Sequence, residues 1–87
     1  MPYTVRYIQL AVQQLKKLDK YTRTLILAWV EKHLVNTDNP RRYGKGLVAN
    51  HKVKWRYRIG DYRLLAEIQD NELVILILTV GHRKCIY

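Results

Sequence analysis

From Lys52 to Ile59 the sequence alternates strictly between basic and apolar residues. The basic positions are Lys52, Lys54, Arg56 and Arg58, and the apolar positions between them are Val53, Trp55, Tyr57 and Ile59. Because successive side chains of a β-strand point to opposite faces, this period of two predicts a strand with one apolar face and one cationic face.

The dipeptide Gly60-Asp61 after this strand is typical of a two-residue turn, and a second strand begins at Tyr62. Such a turn predicts three opposed pairs on the cationic face: Arg58 with Arg63, Arg56 with Leu65, and Lys54 with Glu67. Like charges placed across a strand pair destabilise it, so a bound phosphate is one explanation for the first pair. Ordinary ion pairs of these arginines with Asp61 or Asp70, and of Lys54 with Glu67, are the alternatives.

The remaining pattern predicts an α+β fold in one domain, residues 1–87. Alternation over Tyr3–Tyr7 indicates a first strand, and apolar spacing of three to four residues indicates a helix from Ile8 to Leu18 and a second one after Asp19-Lys20 that ends before Pro40. Residues 41–50 are predicted to be a loop, with Gly44 and Gly46 as breakers. The apolar run from Leu73 to Val80 indicates a central strand covered on both faces. The expected architecture is a two-layer sandwich: an N-terminal strand, a helical hairpin, then a three-stranded antiparallel meander.

A two-residue turn at Asp70-Asn71 would place Arg63 opposite Leu78. The exit of the last strand, Gly81-His82-Arg83, would then emerge near Gly60-Asp61. This register predicts that Arg58, Arg63 and Arg83 converge at one end of the sheet, while a longer turn would change the register.

The charge distribution indicates a polyanionic partner. The chain has 16 basic and 7 acidic residues, a net charge of +9, and residues 41–63 alone contain eight basic residues and one acidic residue, Asp61. Nucleic acid is the first partner class that such a stretch suggests and an anionic membrane the second, while a solvated basic surface is the plain alternative. Cys85 is the single cysteine, which excludes an internal disulfide, and no apolar run approaches the roughly 20 residues of a membrane span. A cytoplasmic protein without a membrane partner is expected.

The candidate site residues are mostly cations, with His82 and Tyr87 beside them. No recognisable ligand spacing joins the histidines and Cys85, so neither a metal nor another cofactor is expected. A cationic site without a metal can still cleave RNA, because the ribose 2′-OH can attack the adjacent phosphate. Guanidinium groups would then stabilise the extra negative charge.

The string from Trp55 to Leu64, together with Gly81-His82-Arg83 and a Tyr four residues later, resembles the RelE/ParE toxin superfamily. The resemblance implies a small bacterial toxin neutralised by a RelB-like antitoxin, with operator DNA reached only through the antitoxin complex. The RelE branch cuts mRNA in the ribosomal A site without a metal, so the ribosome and mRNA are further implied partners. The ParE branch instead inhibits DNA gyrase.

Matched residue by residue, the resemblance assigns catalytic roles to Lys54, Arg56, Arg63, Arg83 and Tyr87. Lys54 and Tyr87 would activate the 2′-OH, and Arg63 and Arg83 would stabilise the phosphorane and the leaving 5′-oxygen. The residues expected to contact RNA are Lys52, Arg58, His82, Tyr43 and Lys45, with Tyr43 as a base-stacking candidate. Lys52 with Lys54 as the catalytic pair, and Glu67 as a base, stay open, as does a nucleic-acid binder without catalysis.

Overall fold

A computed structural model describes residues 1–49 and 52–85 and confirms the α+β fold. Its elements, in chain order, are β1 (Thr4–Tyr7), α1 (Gln9–Lys17), α2 (Lys20–His33), β2 (Lys45–Ala49), β3 (Lys52–Ile59), β4 (Tyr62–Gln69) and β5 (Val74–His82). The strands form one five-stranded sheet in the order β1-β5-β4-β3-β2, in which β1 runs parallel to β5 and all other neighbours are antiparallel.

The two helices form the second layer and bury one face of the sheet. Asp19 caps α2, accepting from the backbone N–H of Thr22 at 3.1 Å. The core joins apolar residues of both helices to alternate strand residues: Ala11, Leu15, Ile26, Val30 and Leu34 from the helical layer, and Tyr57, Ile59, Leu64, Ala66, Ile75, Ile77 and Val80 from the sheet. We call this side of the sheet its helix side and the other its open face. Within the described part of the chain, neither helix is long and apolar enough to cross a membrane.

The predicted loop over residues 41–50 is wrong for Lys45–Ala49, which form the edge strand β2. Glycine disfavours strands by propensity, but tertiary packing overrides that preference here. Gly46 lies opposite Trp55, and a Cβ at Gly46 would come within 3.2 Å of the Trp55 ring atom Cζ3. The missing side chain thus leaves room for the indole to pack over the edge strand.

The predicted register between the last two strands is also wrong. The connection between β4 and β5 has four residues instead of two, Asp70–Leu73, and the ladder contains an irregularity between Leu65 and Ala66. Arg63 therefore lies opposite Gly81 and not Leu78. The chain after β5 still reaches the β3–β4 turn, because the backbone N–H of Arg83 donates to the Asp61 carbonyl at 2.7 Å.

The expected burial of β5 on both faces holds for one face only. Ile75, Ile77 and Val80 are buried beneath the helices, whereas Leu76 and Leu78 are half-buried. The apolar run suggested a fully covered strand, but the helical hairpin supplies one covering layer and the open face has none among the described residues.

Candidate functional site

The cationic side chains of β3 lie on the open face of the sheet. Tyr57 and Ile59 are buried on the helix side, so the alternation of the strand directs Lys54, Arg56 and Arg58 to the open face. The β3–β4 pairs from Trp55–Ala66 to Ile59–Tyr62 have the predicted register. Local sequence thus determines which side chains lie on this face. The alternation of β3 sets their direction, and the two-residue turn sets which residues of β4 lie opposite them.

Two like-charged pairs stand side by side on that face. Arg58 is opposite Arg63 across β3 and β4, and Lys45 is opposite Arg56 across β2 and β3. Between them is a shallow cavity of about 260 Å³, and its lining consists of Gly44, Lys45, Arg56, Arg58 and Arg63. No carboxylate belongs to this lining, so a cavity with four cations is built to receive an anion.

The Arg63 guanidinium is held in place by the turn that precedes it. Its Nη1 donates to the carbonyl oxygens of Gly60 at 2.9 Å and of Tyr62 at 3.0 Å. Desolvation lowers the pKa of Arg63, and the charges of Arg58, Arg56 and Arg83 lower it further, while Asp61 opposes them. The side chain stays protonated, since arginine does not lose its proton in proteins. Arg63 is thus a fixed cation at the centre of a positive field.

Arg83 joins this end of the sheet from the segment after β5. Its Nε lies 3.8 Å from the Asp61 carboxylate, and both side chains are more than half exposed. The structure therefore brings Arg58, Arg63 and Arg83 to the same end of the sheet, around the β3–β4 turn.

Asp61 and Asp70, the carboxylates expected as partners of Arg58 and Arg63, pair with Arg83 and Arg41 instead. The Asp70 carboxylate accepts hydrogen bonds from both outer nitrogens of Arg41, at 2.9 and 3.0 Å. It lies at the opposite end of β4 from Arg63. Among the described residues, no carboxylate lies within 4 Å of the charged nitrogens of Arg58 or Arg63, and Lys54 and Glu67 form no ion pair at that distance. Arg58 and Arg63 are thus close to each other without a carboxylate partner in contact.

His82 and Tyr43, two of the predicted RNA contacts, lie elsewhere. His82 is paired with Tyr62 on the helix side, and their rings meet edge-on with centroids 5.5 Å apart. The ladder irregularity between Leu65 and Ala66 explains the position of His82, because it shifts the register by one residue and moves Val80 and His82 to the helix side. Tyr43 packs against Trp29 and His33, with ring centroids 5.8 and 4.7 Å away.

The other predicted residues have separate positions. Lys45 lines the cavity, and Lys52 starts β3 beside Ala49, two residues before Lys54. Tyr87 lies outside the described residues. No group of three His, Cys, Asp or Glu side chains suited to a metal ion occurs within residues 1–49 and 52–85.

Gly44 is a site residue that the sequence reading placed only in a loop. Its φ is +80°, and a Cβ there would lie 2.3 Å from the carbonyl oxygen of Arg56. Only glycine allows this left-handed backbone to approach the cationic strand so closely. The available signal was a glycine beside Lys45, but the pairing of β2 with β3 was needed to interpret it.

Comparisons with known proteins agree on one superfamily of toxins. A family model described as the ParE toxin of the type II toxin–antitoxin system parDE matches residues 5–87. Toxin RelG of Mycobacterium tuberculosis (strain ATCC 25618 / H37Rv) is 36% identical over 87 residues, which are 100% of this chain and 98% of RelG.

Two solved toxin–antitoxin complexes contain similar chains. A chain of RelBE2 from Mycobacterium tuberculosis matches with a TM-score of 0.84 and 34% identity over 95% of this chain and 93% of that one. A chain of the archaeal RelE–RelB complex from Pyrococcus horikoshii OT3 matches with a TM-score of 0.74 and 27% identity, over 95% of this chain and 97% of that one.

Proposed function

The chain belongs to the RelE/ParE superfamily of toxins from type II toxin–antitoxin systems, and on that basis we propose that it is an endoribonuclease that cleaves mRNA in the ribosomal A site. The observation that carries the proposal is the cavity on the open face, in which Lys45, Arg56, Arg58 and Arg63 surround a space without a carboxylate. The phosphodiester backbone of RNA supplies the negative charge that such a cavity lacks.

The proposed reaction is an attack by the ribose 2′-oxygen on the adjacent phosphorus. The 2′-OH loses its proton as the new P–O bond forms, and the bond to the 5′-oxygen breaks as that oxygen gains a proton. The products are a 2′,3′-cyclic phosphate and a free 5′-OH, so atoms and charge balance without an oxidant or a cofactor. Lys54 and Tyr87 are proposed to activate the 2′-OH together, and one of these two side chains accepts its proton.

Charge stabilisation is the part of this reaction that the described geometry supports best. Two backbone carbonyls already fix Arg63, so its remaining N–H groups can meet the phosphorane without reorganisation. Arg83 enters from the same end of the sheet and is proposed to stabilise the leaving oxygen. Arg56 and Arg58 are proposed to hold the RNA backbone on either side of the scissile phosphate.

A RelB-like antitoxin, the ribosome and mRNA are the proposed partners, and operator DNA is proposed to be contacted only through the antitoxin. RelBE2 and the archaeal RelE–RelB complex support the first of these, because each was solved as a toxin–antitoxin complex. The proposed location is the cytoplasm, where ribosomes and mRNA are present.

Primer extension on a reporter mRNA in a translating extract tests the activity. We expect cuts at codon positions in the presence of the protein and none when ribosomes are omitted. Arg63→Ala should reduce the cleavage rate by about 10²–10³-fold, the usual effect of removing one charge-stabilising donor. Arg6→Ala, which removes an exposed arginine from β1, is the matched control and should cleave normally. Uncut mRNA with the unaltered protein would reject the nuclease function.

Inhibition of DNA gyrase is the second candidate function, because the matching family model is that of ParE. It predicts loss of gyrase-dependent supercoiling on addition of the purified protein, with mRNA left intact. A supercoiling assay run beside the primer extension separates the two: inhibition without cleavage supports gyrase, and cleavage without inhibition supports the nuclease.

A further inference from the structure

Two helix-side side chains of β3 hold the segment that leads into the cavity. We call this segment, Pro40–Gly44, the connector. The indole N–H of Trp55 donates to the carbonyl oxygen of Tyr43 at 2.6 Å, and the hydroxyl of buried Tyr57 donates to the carbonyl oxygen of Pro40 at 2.6 Å. Burial raises the pKa of Tyr57, so its hydroxyl keeps the donated proton at neutral pH.

Both faces of β3 therefore contribute to the cavity. Its open-face side chains include Arg56 and Arg58, and its helix-side side chains fix the backbone of the connector. Lys45 follows the connector directly and lies opposite Arg56.

The contact at Gly44 shows how closely these parts fit. Gly44 approaches the Arg56 carbonyl so tightly that the Cβ of any other residue would be 2.3 Å from that oxygen and 3.0 Å from Trp55 Nε1. A like-charged pair such as Lys45 and Arg56 tends to separate, so the connector needs a restraint to keep both cations at the cavity. The Trp55–Tyr43 hydrogen bond is one residue away from the point of closest approach.

We infer that Trp55 is a positioning residue: its indole N–H holds the connector against β3 and so keeps Lys45 in the anion-binding cavity. This inference rests on the proposed function, since RNA is taken as the ligand. Trp55 acts on RNA through Lys45 and not by stacking on a base, because its ring packs over Gly46 on the helix side.

The alternative is that Trp55 only packs in the core. Its ring is half-buried among the core residues, and its loss would then lower stability without a specific effect on the cavity. The variant Trp55→Phe separates the two roles, because it keeps an aromatic ring and removes the N–H donor.

A double-mutant cycle with Lys45 measures the proposed coupling. The readout is fluorescence anisotropy of a labelled 2′-O-methyl RNA, which the protein cannot cleave through a 2′-OH. We expect Trp55→Phe and Lys45→Ala each to weaken binding by about three- to tenfold, which is about 1 kcal/mol by the usual conversion. In the Lys45→Ala background, Trp55→Phe should change binding by less than about twofold, since it acts through the missing lysine.

Two further variants complete the test. Trp29→Phe is the matched control, because Trp29 touches Tyr43 only through its ring, with centroids 5.8 Å apart, and it should bind RNA as the unaltered protein does. Gly44→Ala displaces the connector without changing Trp55 and should show the same loss and the same dependence on Lys45. Thermal melts of all variants verify folding, and Gly44→Ala carries the test if Trp55→Phe does not fold.

Equal losses from Trp55→Phe with and without Lys45, or no loss at all, would overturn the inference while leaving the proposed function in place. Absence of RNA binding by the unaltered protein, together with uncut mRNA in the translating extract, would reject both.

Discussion

Arg58 and Arg63 face each other across the β3–β4 turn, and Lys45 and Arg56 do the same one strand over. Opposed like charges cost about 0.2–1 kcal/mol relative to neutral pairs. A small fold has little stability to spare for such pairs, because domains of this size bury a limited share of their surface. At the scale of single residues, these pairs cost stability in the free protein, and a bound anion would relieve that cost.

Arg58→Thr should therefore stabilise the isolated protein. Removing one member of the Arg58–Arg63 pair relieves repulsion, and a gain of about 0.5 kcal/mol would raise the melting temperature by about 2–4 °C in a domain of this size. Arg6→Thr in β1 makes the same exchange away from the cavity and controls for the strand preference of threonine. Thermal melts should show a gain for Arg58→Thr beyond that of the control, and a lower melting temperature would contradict the account of the pair.

Gly44 and Gly60 both have a left-handed backbone, but only Gly44 is crowded. A Cβ at Gly60 would meet nothing within 4 Å, whereas one at Gly44 would collide with the Arg56 carbonyl. Gly60→Ala should cost about 1–2 kcal/mol for its backbone conformation alone, and Gly44→Ala should cost distinctly more. Urea unfolding compares the two variants directly. Equal losses would mean that the close approach at Gly44 does not hold in solution.

At the scale of elements, the β4–β5 turn is tied to two other parts of the fold. Asp70 accepts from the Tyr3 hydroxyl at 2.6 Å and from both outer nitrogens of Arg41, and Arg41 in turn lies 5.9 Å from the centre of the Trp55 ring. One carboxylate thus connects the start of β1, the connector and the last two strands.

Because of this carboxylate, the stability of the fold should decrease as the pH falls into the acid range. Hydrogen bonds from Arg41 and Tyr3 lower the pKa of Asp70 to about 2, below the unfolded value of about 3.9. Its contribution is therefore fully present above about pH 4 and is lost as the pH falls towards 2. Because the group is half exposed, we expect no more than about 1 kcal/mol.

Urea unfolding between pH 5 and pH 2 measures this contribution. Asp70→Asn should be less stable than the unaltered protein at pH 5 and should lose less stability on acidification. Asn71→Ala changes the same turn without removing a carboxylate and should keep the original pH dependence. An unchanged pH dependence in Asp70→Asn would show that the network does not stabilise the fold.

The elements that the sequence predicted correctly are those governed by local rules. The two helices follow from apolar spacing, and the faces of β3 follow from its alternation and the two-residue turn at Gly60. The errors arise where distant contacts decide. Gly46 is accommodated in a strand because the Trp55 ring covers it, and the one-residue irregularity between Leu65 and Ala66 moved His82 to the helix side. Neither effect has a signature within its own segment.

At the scale of the whole molecule, part of the positive charge is concentrated on one face. The chain carries +9, and four of its basic residues, Lys45 of β2, Arg56 and Arg58 of β3 and Arg63 of β4, line the cavity on the open face. Such a field should accelerate association with RNA and make it sensitive to salt.

The salt dependence of RNA binding should report how many cations of the protein contact phosphates. For single-stranded RNA, each phosphate contact adds about −0.7 to the slope of log affinity against log salt concentration. Four cavity cations therefore predict a slope of about −3. Arg58→Ala should make the slope less steep by about 0.7, and Lys20→Gln in α2 should leave it unchanged. Anisotropy titrations between 50 and 200 mM KCl, about the range in which counterion release is measured, provide the slopes. A slope that Arg58→Ala does not alter would remove Arg58 from the RNA contact.

We propose that the 2′-OH of mRNA is the nucleophile at the cationic site on the open face. The most direct test is cleavage of mRNA on programmed ribosomes, using one message with an all-ribose A-site codon and another with a single 2′-deoxy nucleotide on the 5′ side of the scissile bond. We expect the first message to be cut, leaving a 2′,3′-cyclic phosphate and a 5′-OH, and the second to stay intact. Equal cleavage of both messages would contradict this proposal.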